Sequence, residues 1–371
     1  MSEWTNQWNP FNSAKILLWR QHLEHCAIDD YLPPIVVNID PSNRCMYDCP
    51  HCNAFDMISG KGNNMSEEHM IKLIDFLADW RDSTEHYTPG AACVSGGGEP
   101  YMNHDINAML ERMYEKDMEI GVITAGFPMT DEDIEIGART SRWFGFSLDA
   151  GSKEVYNRVK GIKNSDAFDK VVETMRKMVK KVDELGTNCD VAYKFLITPE
   201  NALDIYNAVK LAKDIGVKDV HIRPVCWDNI TKKKGEGSAN FEGLIDDINK
   251  QITESRKLET KDFRIYGIKH KYSPSFTKKV EYSKCWTSSI LPTFSADGNV
   301  HLCADQRGDP DFVLCRHDPD PSEILTVWNT DYHHEKINNI DVNKCPKCTV
   351  GPYNEVVEQV IINDNMTRRF P

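Results

Sequence analysis

Apolar and polar positions along this chain fall into two alternating kinds of block. Short β-branched or aromatic runs read as buried strands: PPIVVNID from Pro33, AACVS from residue 91, EIGVITAG at 119–126, WFGFSLDA at 143–150, DVAYKFLI at 190–197 and DVHIRPV at 219–225. Between them lie stretches of helical period: Ser66 to about Trp80, a stripe of Met109, Leu110 and Met113, a helix beginning near Asp131, the long amphipathic segment 168–184, and 202–214. Six strands separated by helices predict an α/β fold, a mostly parallel sheet with helices outside it. A partial or complete barrel leads, and a flat doubly wound sheet has the same periodicity. Either arrangement puts ligands at the C-terminal ends of the strands.

The flanking regions differ. Residues 1–34 read as an N-terminal extension, in which SAKILLWRQHLEHC predicts a short helix with Leu17, Leu18 and Leu23 as core contacts and tryptophans that pack. In 227–262, TKKKGEGS reads as a solvated turn and FEGLIDDINKQI as a helix, and FRIYGIKHKY at 263–272 adds a strand. Beyond about residue 280 the segments shorten and Asp, Asn and Pro become frequent among four spaced cysteines, which predicts a small metal-supported domain. The end TRRFP reads as a frayed tail.

Composition narrows the picture. With 371 residues, 40% hydrophobic and 27% charged, the chain has the material for a sizeable core, and its net charge of -13 disfavours unspecific binding to nucleic acid or anionic lipid. No apolar run is long enough to span a bilayer and no signal-peptide pattern is present, so a soluble, cytoplasmic protein is expected. In a reducing compartment the 12 cysteines, grouped in CMYDC, CPHC and CPKC, predict metal or redox sites rather than disulfides. Cys26, Cys93, Cys189 and Cys226 read as packing residues.

Cys45, Cys49 and Cys52 form CMYDCPHC on the loop after a strand. Three thiolates can hold three irons of a cubane and leave the fourth iron open; a zinc knuckle completed by His51 or a distant residue is the alternative. This C-x3-C-x2-C loop resembles the signature of the radical S-adenosylmethionine (SAM) superfamily. The resemblance implies a partial (β/α)6 TIM-like barrel, a [4Fe-4S] cluster on Cys45, Cys49 and Cys52, and SAM chelated to the open iron. It further implies an electron donor such as flavodoxin or ferredoxin, reductive cleavage of the sulfonium and a 5'-deoxyadenosyl radical. His51 stands where the family usually has an aromatic residue near the adenine. GGGEP after the second strand resembles the family's methionine-binding segment, which implies cofactor contacts for Gly97, Gly98, Glu99 and Pro100; Thr124, with Ala125 and Gly126, ends the next strand. Ser147 and Asp149 in FSLDA resemble the family's S-x-D segment. Arg158 in NRVKG is either a cofactor contact or a helix-surface charge, and His221 and Arg223 either face substrate or are structural.

Cys285, Gly298 and Cys303, followed by Cys345 and Cys348, can bind an auxiliary cluster or zinc. The spacing C-x9-15-G-x4-C resembles the opening of SPASM and twitch domains, and with no cysteine after Cys348 it implies a twitch-like domain with one [4Fe-4S] cluster on those four thiols. Cys315 is expected to lie outside the cluster. The resulting division is 1–34 extension, 35–280 radical SAM core, clearest over 35–225, and 281–371 auxiliary domain. The expected reaction is hydrogen abstraction from a small hydroxylated or amino compound. Ribosomal peptides, nucleosides or nucleic-acid bases are alternatives, and a noncatalytic iron-sulfur or zinc scaffold is the reading of another class. A phosphate-binding role for IKHKYSPSFTKKVEYSK competes with a solvated connection, and Asp305, Asp309 and His317 are auxiliary-domain residues that could approach the barrel.

Overall fold

The computed structural model describes residues 12–58, 62–81, 89–127, 129–163, 165–225, 239–268, 272–345 and 348–362. Its strands are β1 (Val36–Asp40), β2 (Ala91–Val94), β3 (Glu119–Thr124), β4 (Trp143–Ser147), β5 (Asp190–Ile197), β6 (Asp219–Pro224), β7 (Arg264–Gly267), β8 (Thr293–Ser295), β9 (Asn299–His301) and β10 (Val313–Arg316). They form one sheet in the order β10-β9-β8-β1-β2-β3-β4-β5-β6-β7. β1 to β7 run parallel in sequence order, β8 joins the outer edge of β1 in parallel, and β9 and β10 complete an antiparallel meander. The result is a partial (β/α) barrel with an auxiliary domain whose strands continue the barrel sheet.

Local sequence accounts for the connecting helices. Ser66 caps Glu67–Asp79 by accepting from His69 N–H. Thr130 and Asp133 form a reciprocal capping box at Asp131–Thr140. Gly186 and Gly216, both left-handed, end Ala167–Leu185 and Ile205–Ile215. The helix read in FEGLIDDINKQI spans Ile245–Arg256. Met109, Leu110 and Met113 are fully buried under the sheet's outer face.

The N-terminal extension corrects one expectation. Leu23 is fully buried, but Leu18 is 80% exposed and Leu17 39%, and Ile16 is the buried apolar residue of the turn before the helix. The cause is local: Ser13–Trp19 is a 3-10 turn before the helix Arg20–Ala27, and three residues per turn rotate a different side chain inward. Trp19 is 38% exposed rather than packed, and Trp4 and Trp8 lie outside the described residues. The extension docks on the auxiliary region: Trp328 Nε1 donates to the carbonyls of Tyr31 and Leu32 at 3.1 Å, and Tyr31 N–H donates to Asn329. TKKKGEGS, TRRFP, Cys226 and part of IKHKYSPSFTKKVEYSK fall outside the described residues.

Candidate active site

At the C-terminal end of the sheet, the loop after β1 carries Cys45, Cys49 and Cys52. None of the eleven described cysteines forms a disulfide. Burial pushes the thiol of Cys45 up to about 11 and that of Cys49 to about 12, and the cysteines of this loop reinforce one another's shift. Such thiols ionise only beside strong positive charge, as iron supplies, and grouped soft sulfur donors are the chemistry of an iron-sulfur site. The residues present therefore fit a cluster. Among the described residues no three His, Cys, Asp or Glu side chains gather closely enough to hold one metal ion between them; a cubane asks for less, since each thiolate binds its own iron.

The GGGEP turn packs directly on this loop. A Cβ at Gly98 would lie 2.4 Å from the Arg44 carbonyl oxygen, and one at Gly97 would lie 2.7 Å from Asn43 Oδ1. Glu99 N–H donates to that same Arg44 carbonyl at 2.8 Å. The glycines thus hold the turn against residues 43–44, immediately ahead of Cys45. The Glu99 side chain, 3% exposed, accepts hydrogen bonds from the Thr124 hydroxyl and from the N–H groups of Ala125 and Tyr101. Burial raises its carboxyl to about 7 against the pull of these donors. Glu99 therefore ties β2 to the end of β3, and Pro100 opens the helical turn that follows.

The end of β4 holds a buried charge pair. Asp149, left-handed at φ 61°, accepts from Lys160 Nζ at 2.7 Å and from Leu196 N–H at 2.8 Å, with His51 Nε2 at 4.0 Å. Lys160 also donates to the Ser147 carbonyl at 2.6 Å. Burial opposes the charge on both partners, but for Asp149 the ammonium, His51 and the Leu196 N–H outweigh it and hold the pKa below the carboxylate range; Asp149 likewise keeps Lys160 raised. The ammonium lies 5.9 Å from the centroids of the Tyr47 and Tyr156 rings, whose hydroxyls are 2.8 Å apart, and it lowers the thiol pKa of Cys49. Gly161, at φ +65°, packs where a Cβ would meet the Asp48 carbonyl at 2.2 Å. Lys160 and Gly161 thus brace the cysteine loop. Sequence reading singled out Arg158 of the same NRVKG stretch, which proves to be a surface charge bonded to Glu154 and the Glu200 carbonyl.

The auxiliary cysteines form a second group. Burial raises the thiols of Cys303, Cys345 and Cys348, and Cys285 acts electrostatically on all three. Cys315 stands apart on β10, its thiol raised by burial and then by Glu323, with no cysteine among the causes.

Two polar links join the groups, one through Asp305, which sequence reading names as able to approach the barrel, and one through Arg307, which it misses. Asp305 accepts from Asn53 Nδ2 at 3.0 Å, next to Cys52, and from the Thr349 hydroxyl at 2.8 Å, next to Cys348. Arg307 makes a paired contact with Asp40 at 2.5 and 3.0 Å, at the end of β1, with both side chains almost wholly buried. His317 also meets the core, its Nδ1 lying 2.8 Å from His69 Nε2, whereas Asp309 caps a local turn.

Residues 39–188 match the Radical SAM superfamily. Over 192 residues the chain is 25% identical to the antilisterial bacteriocin subtilosin biosynthesis protein AlbA of Bacillus subtilis, a match covering 51% of this chain and 39% of AlbA. Over 103 residues it is 23% identical to the PqqA peptide cyclase of Granulibacter bethesdensis, covering 28% of this chain and 25% of that protein. The matched segments thus span less than half the length of these relatives. In fold, the crystal structure of Streptococcus suis SuiB bound to precursor peptide SuiA covers 94% of this chain and 76% of SuiB at a TM-score of 0.62 and 15% identity. No helix among the described residues is long and apolar enough to cross a membrane. The matched segment is a radical SAM domain, which implies SAM and a [4Fe-4S] cluster, and the chain as a whole has the fold of a radical SAM barrel followed by a SPASM-like auxiliary domain.

Proposed function

We propose that this enzyme modifies a ribosomally made peptide by radical hydrogen abstraction. The observation that carries the radical reading is the packing of Gly97 and Gly98 onto residues 43–44, which sets the cofactor-binding turn against the cysteine loop. In this reading Cys45, Cys49 and Cys52 hold a [4Fe-4S] cluster with one open iron. Gly97, Gly98 and Pro100 shape the methionine end of the SAM pocket, with Glu99 and Thr124 fixing that turn from below. Ser147 and His51 border the remainder, and Asp149 and Lys160 supply its buried charges. Cluster and SAM, when bound, supply the radical that takes a hydrogen atom from substrate. Cys285, Cys303, Cys345 and Cys348 hold one auxiliary [4Fe-4S] cluster, and Asp305 keeps the two loops in register through Asn53 and Thr349. A flavodoxin or ferredoxin serves as electron donor.

The peptide is preferred over a small hydroxylated compound because the names of the matched relatives, a bacteriocin biosynthesis protein and a peptide cyclase, both concern peptides. The test is anaerobic reconstitution with iron and sulfide, followed by dithionite, SAM and a short peptide encoded beside this gene. 5'-Deoxyadenosine together with a mass loss in the peptide supports the proposal. A fully loaded protein that forms no 5'-deoxyadenosine overturns the radical reading, and turnover of a sugar or aminoglycoside but of no peptide overturns the substrate reading. Iron and sulfide content near two cubanes per chain, falling by half in Cys345→Ala, checks the auxiliary site.

A further inference from the structure

In the lumen of the barrel, two cations stand without an ion-pair partner among the described residues. Lys194 of β5 lies opposite Ser147 on one side and His221 of β6 on the other, and Leu196 lies opposite Arg223. Alternate strand residues share a face, so Lys194, His221 and Arg223 line one patch of the lumen. Gly145 makes room for it: a Cβ there would sit 2.1 Å from Lys194 Cε. The ammonium rests 5.0 Å from the centroid of the Trp143 ring and 3.4 Å from His221 Nδ1.

Elsewhere in this face each buried cation has its carboxylate, Lys160 with Asp149 and Arg307 with Asp40. Among the described residues neither Lys194 nor Arg223 has a carboxylate within ion-pair distance; of the two carboxylates that act on Lys194 from further away, Asp149 is taken by Lys160 and Asp219 acts more weakly. Gathering two like charges in a partly desolvated lumen is costly, and burial followed by Arg223 brings the Lys194 ammonium down to about 8. A fold keeps such an arrangement where a ligand completes it.

We propose that Lys194 and Arg223 form an anion subsite that holds a carboxylate side chain, Asp or Glu, of the peptide substrate. The guanidinium offers a planar two-pronged contact and the ammonium a third donor, with neutral His221 accepting a hydrogen bond from Lys194 to fix its direction. Because Ser147 borders the SAM pocket, the subsite anchors the peptide beside the reacting centre. This inference rests on the peptide reading above.

The test uses the reconstituted full chain and two probes, N-acetylglutamate N-methylamide and its glutamine counterpart. The wild type should bind the glutamate probe about tenfold more tightly, and Lys194→Met or Arg223→Met should each abolish the difference. Removing an uncompensated buried cation should also raise the thermal midpoint of the ligand-free Lys194→Met protein, whereas a structural lysine would lower it. Equal binding of both probes, discrimination that survives both substitutions, or a lowered midpoint overturns the proposal. Competitive displacement of the glutamate probe by SAM overturns it too, because the carboxylate bound would then be the cofactor's own. Formation of 5'-deoxyadenosine by the wild type is measured separately: its absence removes the radical reading, while its presence without probe discrimination removes the subsite alone.

Discussion

Replacing Lys160 by Met leaves Asp149 buried, left-handed and without its cation. The two side chains are 4% and 1% exposed, so solvent screens little of their 2.7 Å interaction. Breaking such a pair from one side costs about 3–5 kcal/mol, because the abandoned charge has nowhere to go. Asp149 retains the Leu196 N–H at 2.8 Å and His51 at 4.0 Å, which places the expected loss near the lower end, about 3 kcal/mol. Adding Asp149→Asn removes the stranded charge while keeping an acceptor for Leu196 and a residue that tolerates positive φ. The double variant should therefore recover roughly 1–2 kcal/mol of that loss. Urea titration of the apo chain at pH 7, followed by tryptophan fluorescence, reads all four corners of the cycle. The sign with pH is fixed by the lowered carboxyl: the pair's contribution is present above the unfolded carboxylate pKa and lost as pH falls through the lower folded value. A Lys160→Met protein as stable as the wild type, or a double variant no better than the single, would refute this reasoning.

Three further outcomes follow from the same geometry. Glu99, raised from 4.5 to about 7, should cost the fold on the order of 3 kcal/mol as pH rises through that window, and Glu99→Gln should remove this slope from pH-dependent urea midpoints. His317, depressed from 6.5 to about 4 by burial, gives the opposite slope, with about 3 kcal/mol lost as pH falls across nearly the same window; His317→Gln should therefore expose the Glu99 slope alone, and an unchanged profile in both variants would count against both assignments. Gly161→Ala combines positive φ with a Cβ 2.2 Å from the Asp48 carbonyl, so a loss of about 1–2 kcal/mol or more and reduced iron per chain are expected; full iron loading at an unchanged thermal midpoint would show that the loop does not depend on this contact.

Local pattern made the core legible. β5 matches the expected 190–197 to the residue, and the Ser66, Thr130 and Gly186 boundaries announce themselves in short-range chemistry. The Cys45–Cys52 loop and the GGGEP turn could be picked out because each is a contiguous motif, and the structure packs the one against the other. Partners far apart in sequence could not be. Asp40 and Arg307 stand 267 residues apart, and the only local hint was a carboxylate on the buried register of an apolar strand. Lys160 was hidden beside Arg158, since two cations in NRVKG differ only in which way the short helix Lys153–Val159 and the left-handed Gly161 turn them. Leu17 and Leu18 misled because a 3.6-residue period was applied to a three-residue turn.

The pairing of Thr293 with Asn38 across the β1–β8 seam sets an order of events for the growing polypeptide. Until the last quarter of the chain is made, β1 presents an unsatisfied row of amides and carbonyls on the side away from β2. At roughly 5–20 residues per second, that edge waits ten seconds or more for its partner. A nascent chain halted near residue 280 would carry the cysteine loop on the end of an unguarded strand. Its natural fate would be pairing with another such edge, so slower elongation across 240–290 should increase aggregated product before any cluster is built.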